Sequence, residues 1–97
     1  MTPVKRIEIV AESHGLREIR RWLDQHGVDA YTVIRGVVGR GERGEQAGDE
    51  LSDVFSNAYL LTTCEVGDLD RILAGLRPLL ARFGGMCLVS DAMWLRH

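Results

Sequence analysis

The sequence predicts an α+β sandwich, a four-stranded antiparallel sheet with two helices on one face. Hydrophobic periodicity switches in the order strand, helix, strand, and after a glycine-rich stretch the same order repeats. The two strand–helix–strand units, 4–38 and 54–95, are of similar length, which suggests a structural pseudo-repeat without sequence identity. Right-handed crossovers in both units put the helices on the same side of one sheet. That is the ferredoxin-like βαββαβ arrangement. The 97 residues are enough for one core, so 1–97 is read as a single domain.

Each element has its own signal. In "VKRIEIVA", 4–11, Ile7, Ile9 and Ala11 alternate with Arg6 and Glu8, as in a strand with one buried face. Ser13 stands where an N-cap is expected, Leu16, Ile19 and Leu23 follow at helical spacing, and Gly27 is the stop signal, which gives a helix over 14–26. Trp22 flanks that stripe and is expected to pack. "DAYTVIRGVV", 29–38, is rich in β-branched and aromatic residues and predicts the second strand. "VFSNAYLLTTC", 54–64, predicts the third by the same criterion. Leu69, Ile72, Leu73, Leu76, Leu79, Leu80 and Phe83 form a helical stripe, in which Pro78 predicts a kink or break near 75–77. Gly84 and Gly85 end this helix, and "MCLVSDAMWL", 86–95, is the fourth strand.

The strands also speak to assembly. In the second, Tyr31, Val33 and Val37 alternate with Ala30, Ile34 and Val38. In the third, Phe55, Tyr59 and Leu61 alternate with Val54, Ala58 and Leu60. Apolar residues on both faces imply that both are buried. Two helices cover only one face, so further copies of the chain are expected on the other, as a homo-oligomer.

Composition narrows the function. A net charge of −2 offers no electrostatic footprint for nucleic acid. No apolar run approaches the roughly 18 residues of a membrane span, and the start, "MTPVKRIEIVAESHG", has no signal-peptide core, so the chain reads as cytoplasmic. Cys64 and Cys87 sit at the edges of apolar runs and are expected to be free thiols; no Cys or His cluster has metal spacing. His14 and His26 at the ends of the first helix, and His97, are expected in solvent. Asp91 or Glu65 as a general base defines one enzymatic alternative, but no nucleophile–base motif accompanies either, and the chain is read as a binding protein rather than an enzyme.

The stretch "GVVGRGERGEQAGDELSDVF", 36–55, fits none of these elements. It holds five glycines between 36 and 48, two arginines near its start, and the carboxylates Glu42, Glu45, Asp49, Glu50 and Asp53, whose spacing fails an EF-hand. Compact domains rarely hold about 12–15 residues outside secondary structure unless they have a function or are disordered. "GRGERG" directly after a strand suits an anion, because glycine lets backbone amides approach closely and arginine supplies charge-assisted donors. It is neither a Walker A loop nor a dinucleotide fingerprint. An inert loop in a structural oligomer remains an open reading at this point.

With "YTVIRGVVGRG" running into that stretch and "RFGGMCLVSDAMWL" after the second helix, the chain resembles the PII signalling family over nearly its whole length. It is most similar to the carboxysome-associated, bicarbonate-linked PII-like branch. The resemblance implies a homotrimer that binds an adenine nucleotide between subunits and signals through a long T-loop, here 38–53, to a protein partner. Gly39, Arg40, Gly41 and Arg43 would form the T-loop base facing the phosphates. Gly84, Gly85 and Met86 would take the place of the B-loop from the neighbouring subunit, and Thr62 would line the adenine pocket. Departures point away from nitrogen sensing. Gly41 stands where those proteins carry a glutamine, "FGGM" has no lysine, and no tyrosine lies between Gly39 and Asp53. The sequence ends at His97, where an arginine-bearing segment is expected. ADP or AMP, joined by bicarbonate, is therefore the expected ligand set, with no prosthetic group and no metal. A nitrogen-regulatory PII protein and a CutA-like metal-binding trimer are the alternatives.

Overall fold

The computed structural model describes residues 1–39 and 57–97. Its central strand β1 (Thr2–Glu12) pairs on one side with β4 (Met86–Trp94) and on the other with β3 (Asn57–Cys64), and β2 (Tyr31–Arg35) closes the far edge beyond β3. The order β2-β3-β1-β4 is antiparallel throughout. Helices α1 (Ser13–Gln25) and α2 (Leu69–Phe83) make the two crossovers, α2 preceded by a 3₁₀ turn over Val66–Asp68. This is the βαββαβ sandwich that the sequence predicts.

Register explains the core. Ile7, Ile9 and Ala11 pair with Thr62, Leu60 and Ala58, so all six share one face of the sheet. They are buried together with Leu16, Ile19 and Leu23 of α1 and Ile72 and Leu76 of α2. Each fully buried aliphatic side chain contributes about 1.5–3 kcal/mol, so this layer carries most of the subunit's stability. The helices approach closely through glycine. A Cβ on Gly75 would lie 1.8 Å from Trp22 Cζ2, and one on Gly15 would lie 2.7 Å from Phe83 Cβ. Trp22 packs as expected, and its ring also stacks on His26 at 4.0 Å. His14 and His26 are exposed, each against one aromatic ring.

Three boundary expectations need correction. Glu12, not Ser13, caps α1: its backbone is extended and its carboxylate accepts from Gly15 N at 3.4 Å, while Ser13 is already helical. β2 stops at Arg35 instead of running to Val38, because Gly36 turns the chain with φ +73°. The Gly36 and Val37 amides then both donate to the Asn57 carbonyl, at 3.0 and 3.1 Å. Finally, α2 runs as one helix through Pro78, without the expected break. Ile72 and Leu76 are anchored before the proline, and Leu79 and Leu80 pack after it. Their burial outweighs the roughly 3 kcal/mol that a helix-interior proline costs. Residues 54–56 of the expected third strand lie outside the described residues.

Asp91 is no buried base. Its side chain is 85% exposed and pairs with Lys5, its cross-strand neighbour. Cys64 and Cys87 are free and half-buried, and burial pushes both thiols above the usual cysteine value.

The face away from the helices is apolar in large part, as expected. Ile34, Met86 and Leu88 lie on it and are 54, 49 and 52% exposed, and Val10, Tyr59 and Leu61 share it. Tyr59 Oη donates to Glu8 Oε2 at 2.7 Å. That bond, more than burial, holds the phenol above the ordinary tyrosine value of 10.0. A raised folded pKa means that the Tyr59 contribution is fully present below the unfolded value and is lost as pH climbs through the folded one. Stability should therefore fall on the alkaline side, and Tyr59→Phe should flatten that limb in urea melts run across the tyrosine range. An unchanged alkaline limb in the variant would remove the assignment.

Candidate functional site

A cleft of about 520 Å³ opens where β2 begins, β3 ends and α2 starts. Its floor exists because α1 stops abruptly. Gly27, at φ +84°, turns the chain, and Val28 N donates back to Leu23 O at 2.9 Å. The segment 28–30 then passes over the end of β3, where Thr62 is 4% exposed. Thr62 Oγ1 donates to Ala30 O at 2.8 Å, fixing the loop to the sheet and leaving the hydroxyl's lone pairs.

Charge sits on the α2 side. Arg71 Nη1 donates to His26 O at 3.0 Å, and Arg71 Nη2 lies 3.7 Å from Asp68 Oδ1. Tyr31, at the start of β2, donates to Asp24 Oδ1 at 3.0 Å and lies under the Arg20 guanidinium. Trp94 adds an exposed indole, with Arg96 5.1 Å above its ring. The cleft thus offers apolar walls, a buried hydroxyl, one arginine and two carboxylates, Asp29 and Asp68, a set suited to a planar polar ligand.

The glycine turns lie elsewhere. Gly84, at φ +81°, caps α2 by donating to Leu80 O at 2.8 Å, so its own amide is already used. Gly85, at φ +111°, crosses β1 so closely that a Cβ would meet Val10 O at 2.7 Å. Met86 pairs with Val10 and is exposed on the open face, whereas Thr62 pairs with Ile7 on the helix face. Gly39 is exposed, with nothing within 4 Å of where a Cβ would stand. A single subunit therefore does not bring Thr62 together with Gly84, Gly85 and Met86. Arg40, Gly41 and Arg43 lie outside the described residues.

Sequence reasoning missed Tyr31, Arg71 and Trp94 as cleft residues. Each comes from a different element, and only the strand order makes them neighbours. Among the described residues, no group of three or more His, Cys, Asp or Glu could hold a metal ion, and no helix is long and apolar enough to cross a membrane.

The nitrogen regulatory protein P-II family profile matches residues 4–97. The chain belongs to the P-II family. Among solved structures it is similar to CPII, a nitrogen regulatory PII-like protein from Thiomonas intermedia K12. CPII bound to ADP, AMP and bicarbonate superposes with TM-score 0.80 at 22% identity, over 98% of this chain and 96% of that one. CPII bound to ADP and bicarbonate gives TM-score 0.77 at 24% identity, over 93% and 86%. The apo form of CPII gives TM-score 0.72 at 21% identity, over 93% and 89%. No curated protein matches the P-II chain in sequence. At these identities the structural likeness speaks for the fold, and that fold is the ferredoxin-like sandwich of PII-like proteins.

Proposed function

We propose that this P-II protein is a regulatory sensor, not an enzyme. In this reading a homotrimer binds ADP or AMP in clefts between subunits, together with bicarbonate, and reports occupancy through the T-loop, 38–53, to a protein partner in inorganic-carbon metabolism. The observation that carries it is the fold shared along 98% of the chain with CPII, a protein captured with ADP, AMP and bicarbonate. The trimer rests on the apolar open face of the sheet and on the family. It would also unite residues that one subunit keeps apart, with the Thr62 cleft of one copy facing the Gly84–Met86 turn of the next.

In that arrangement the cleft around Thr62 receives the adenine. Gly39, Arg40, Gly41 and Arg43 lie against the phosphates, where arginine's planar fork suits both phosphate and bicarbonate. Gly84 and Gly85 shape the turn that brings Met86 to the same cleft. The ligand moves the loop only to the extent that it binds one loop state more tightly than another. Gly41 in place of a glutamine and "FGGM" without a lysine favour a diphosphate or monophosphate over ATP with 2-oxoglutarate. On this reading the protein works in the cytoplasm, alongside the carboxysome. The family assignment favours the sensor over a CutA-like metal-binding trimer.

Calorimetric titration with ADP and AMP, with and without bicarbonate in matched buffers, tests it. Micromolar binding that bicarbonate tightens is expected, weakened at least tenfold by Arg40→Ala with Arg43→Ala. Binding indifferent to bicarbonate would retire the carbon-sensing half. No binding of either nucleotide would overturn the sensor.

A further inference from the structure

The open face of the sheet is apolar at its borders and charged at its middle. Arg6 and Glu8 stand two apart on β1, so both point to this face, with Tyr59 on one flanking strand and Ser90 on the other. Tyr59 Oη donates to Glu8 Oε2 at 2.7 Å, Glu8 Oε1 lies 3.4 Å from Arg6 Nε, and Arg6 Nε donates to Ser90 Oγ at 3.0 Å. One polar chain, Tyr59–Glu8–Arg6–Ser90, thus crosses three strands, bordered by Ile34, Val10, Leu61, Met86 and Leu88.

Covering an apolar face that holds a lone charge is costly, because the ion loses its water without a partner. Here the two charges have opposite sign and are already paired within the subunit. Whatever covers the face need bring no counter-ion, and an acidic or basic partner gains nothing from it. A second copy of this chain meets the requirement, since it brings the same neutral, apolar-bordered surface. The polar chain is also incomplete in a useful way. A guanidinium has five N–H donors and a carboxylate about four acceptor sites. Among the described residues, the contacts of Arg6, to Ser90 and Glu8, both run through Nε. Once the face is covered, the other guanidinium nitrogens need acceptors from the covering copy or from trapped water, and docking registers differ in how well they supply them.

We propose that the Tyr59–Glu8–Arg6–Ser90 chain is the polar key of the subunit interface, allowing the sheet face to be buried against further copies of the chain and fixing the register in which they dock. The proposal rests on the trimeric reading given above. Apolar contact supplies the attraction and tolerates sliding; the key does not. In coiled coils a single buried polar residue sets register and copy number in the same way.

Sedimentation velocity and equilibrium on the full chain test it, with circular dichroism to follow the fold. The wild type is expected to sediment as one trimeric species. Glu8→Gln keeps the shape of the side chain but strands the Arg6 charge on burial. It should raise the concentration at which trimers dissociate at least tenfold while leaving the subunit's helix signal unchanged. Ser90→Ala should act in the same direction more weakly, and serves if Glu8→Gln folds poorly. Arg6→Met with Glu8→Leu removes both charges together. It should associate at least as tightly as the wild type but as a mixture of masses, because the register is no longer specified. Trimers of Glu8→Gln and Ser90→Ala as tight as the wild type would overturn the key, and a single trimeric mass for the apolar double variant would overturn its role in register. A wild type that stays monomeric at every concentration would instead defeat the trimeric reading, and the key with it. ADP binding without trimers would separate that failure from the sensor proposal.

Discussion

Gly75→Ala is expected to destabilise the subunit by about 2–4 kcal/mol, although alanine is the better helix former by about 1 kcal/mol. The new methyl would lie 1.8 Å from Trp22 Cζ2 and 2.2 Å from Cε2, far inside non-bonded contact. An indole is rigid, so Trp22 cannot yield by a small rotation. It has to leave the α1–α2 seam, giving up its packing against the core and its stack on His26. Urea unfolding followed by circular dichroism reads the loss. The assignment to Trp22 has its own check: on a Trp22→Ala background the same substitution should be neutral or slightly stabilising, since residues in direct contact do not act additively. Equal losses on both backgrounds would place the cost elsewhere.

Gly85→Ala should cost a similar amount, about 2–4 kcal/mol, from two independent sources. At φ +111° any side chain strains the backbone, and the added Cβ would sit 2.7 Å from the Val10 carbonyl oxygen and 3.0 Å from Ala11 Cβ. Neither neighbour is the movable tip of a side chain. Relief requires the turn to lift off β1, shifting Met86 and the start of β4. Gly84→Ala meets open space and carries only the backbone strain of φ +81°, so it should cost about half as much. If the Gly84–Met86 turn contributes to the nucleotide cleft of the neighbouring subunit, Gly85→Ala should weaken ADP binding more than Gly84→Ala does. Equal stability losses at the two glycines would show that the contact with Val10 is not the decisive one.

Elements with a local period are legible in the sequence; contacts between distant positions are not. β1 and α1 were legible because Ile7, Ile9 and Ala11, then Leu16, Ile19 and Leu23, repeat with the period of their own element. The cap of α1 was harder to read. Serine and glutamate both accept from backbone amides, and extended backbone at Glu12 settles which one acts. Val37 and Val38 have strand propensity and read as part of β2, yet Gly36 turns the chain before them. At Pro78 the local signal for a break is overridden, as side chains anchored on both sides of it keep α2 whole. Thr62 is singled out only by family resemblance, and Tyr31, Arg71 and Trp94 join it in one cleft only through strand order. The same holds for the open face. Arg6 and Glu8 read as ordinary solvated alternation within β1, and nothing in the sequence pairs them with Tyr59 and Ser90, 51 and 84 positions away from their respective partners.

The Asn57 carbonyl, accepting from both Gly36 and Val37, ties the end of β2 to the start of β3. The two attachment points of 40–56 are thereby held together by the sheet. Closing a chain between fixed ends becomes only slowly harder as the chain lengthens, by about 0.6 kcal/mol for each doubling. By that measure the length of chain between Val37 and Asn57 can change with little penalty to folding, so a reporter peptide inserted between them should leave the sheet intact.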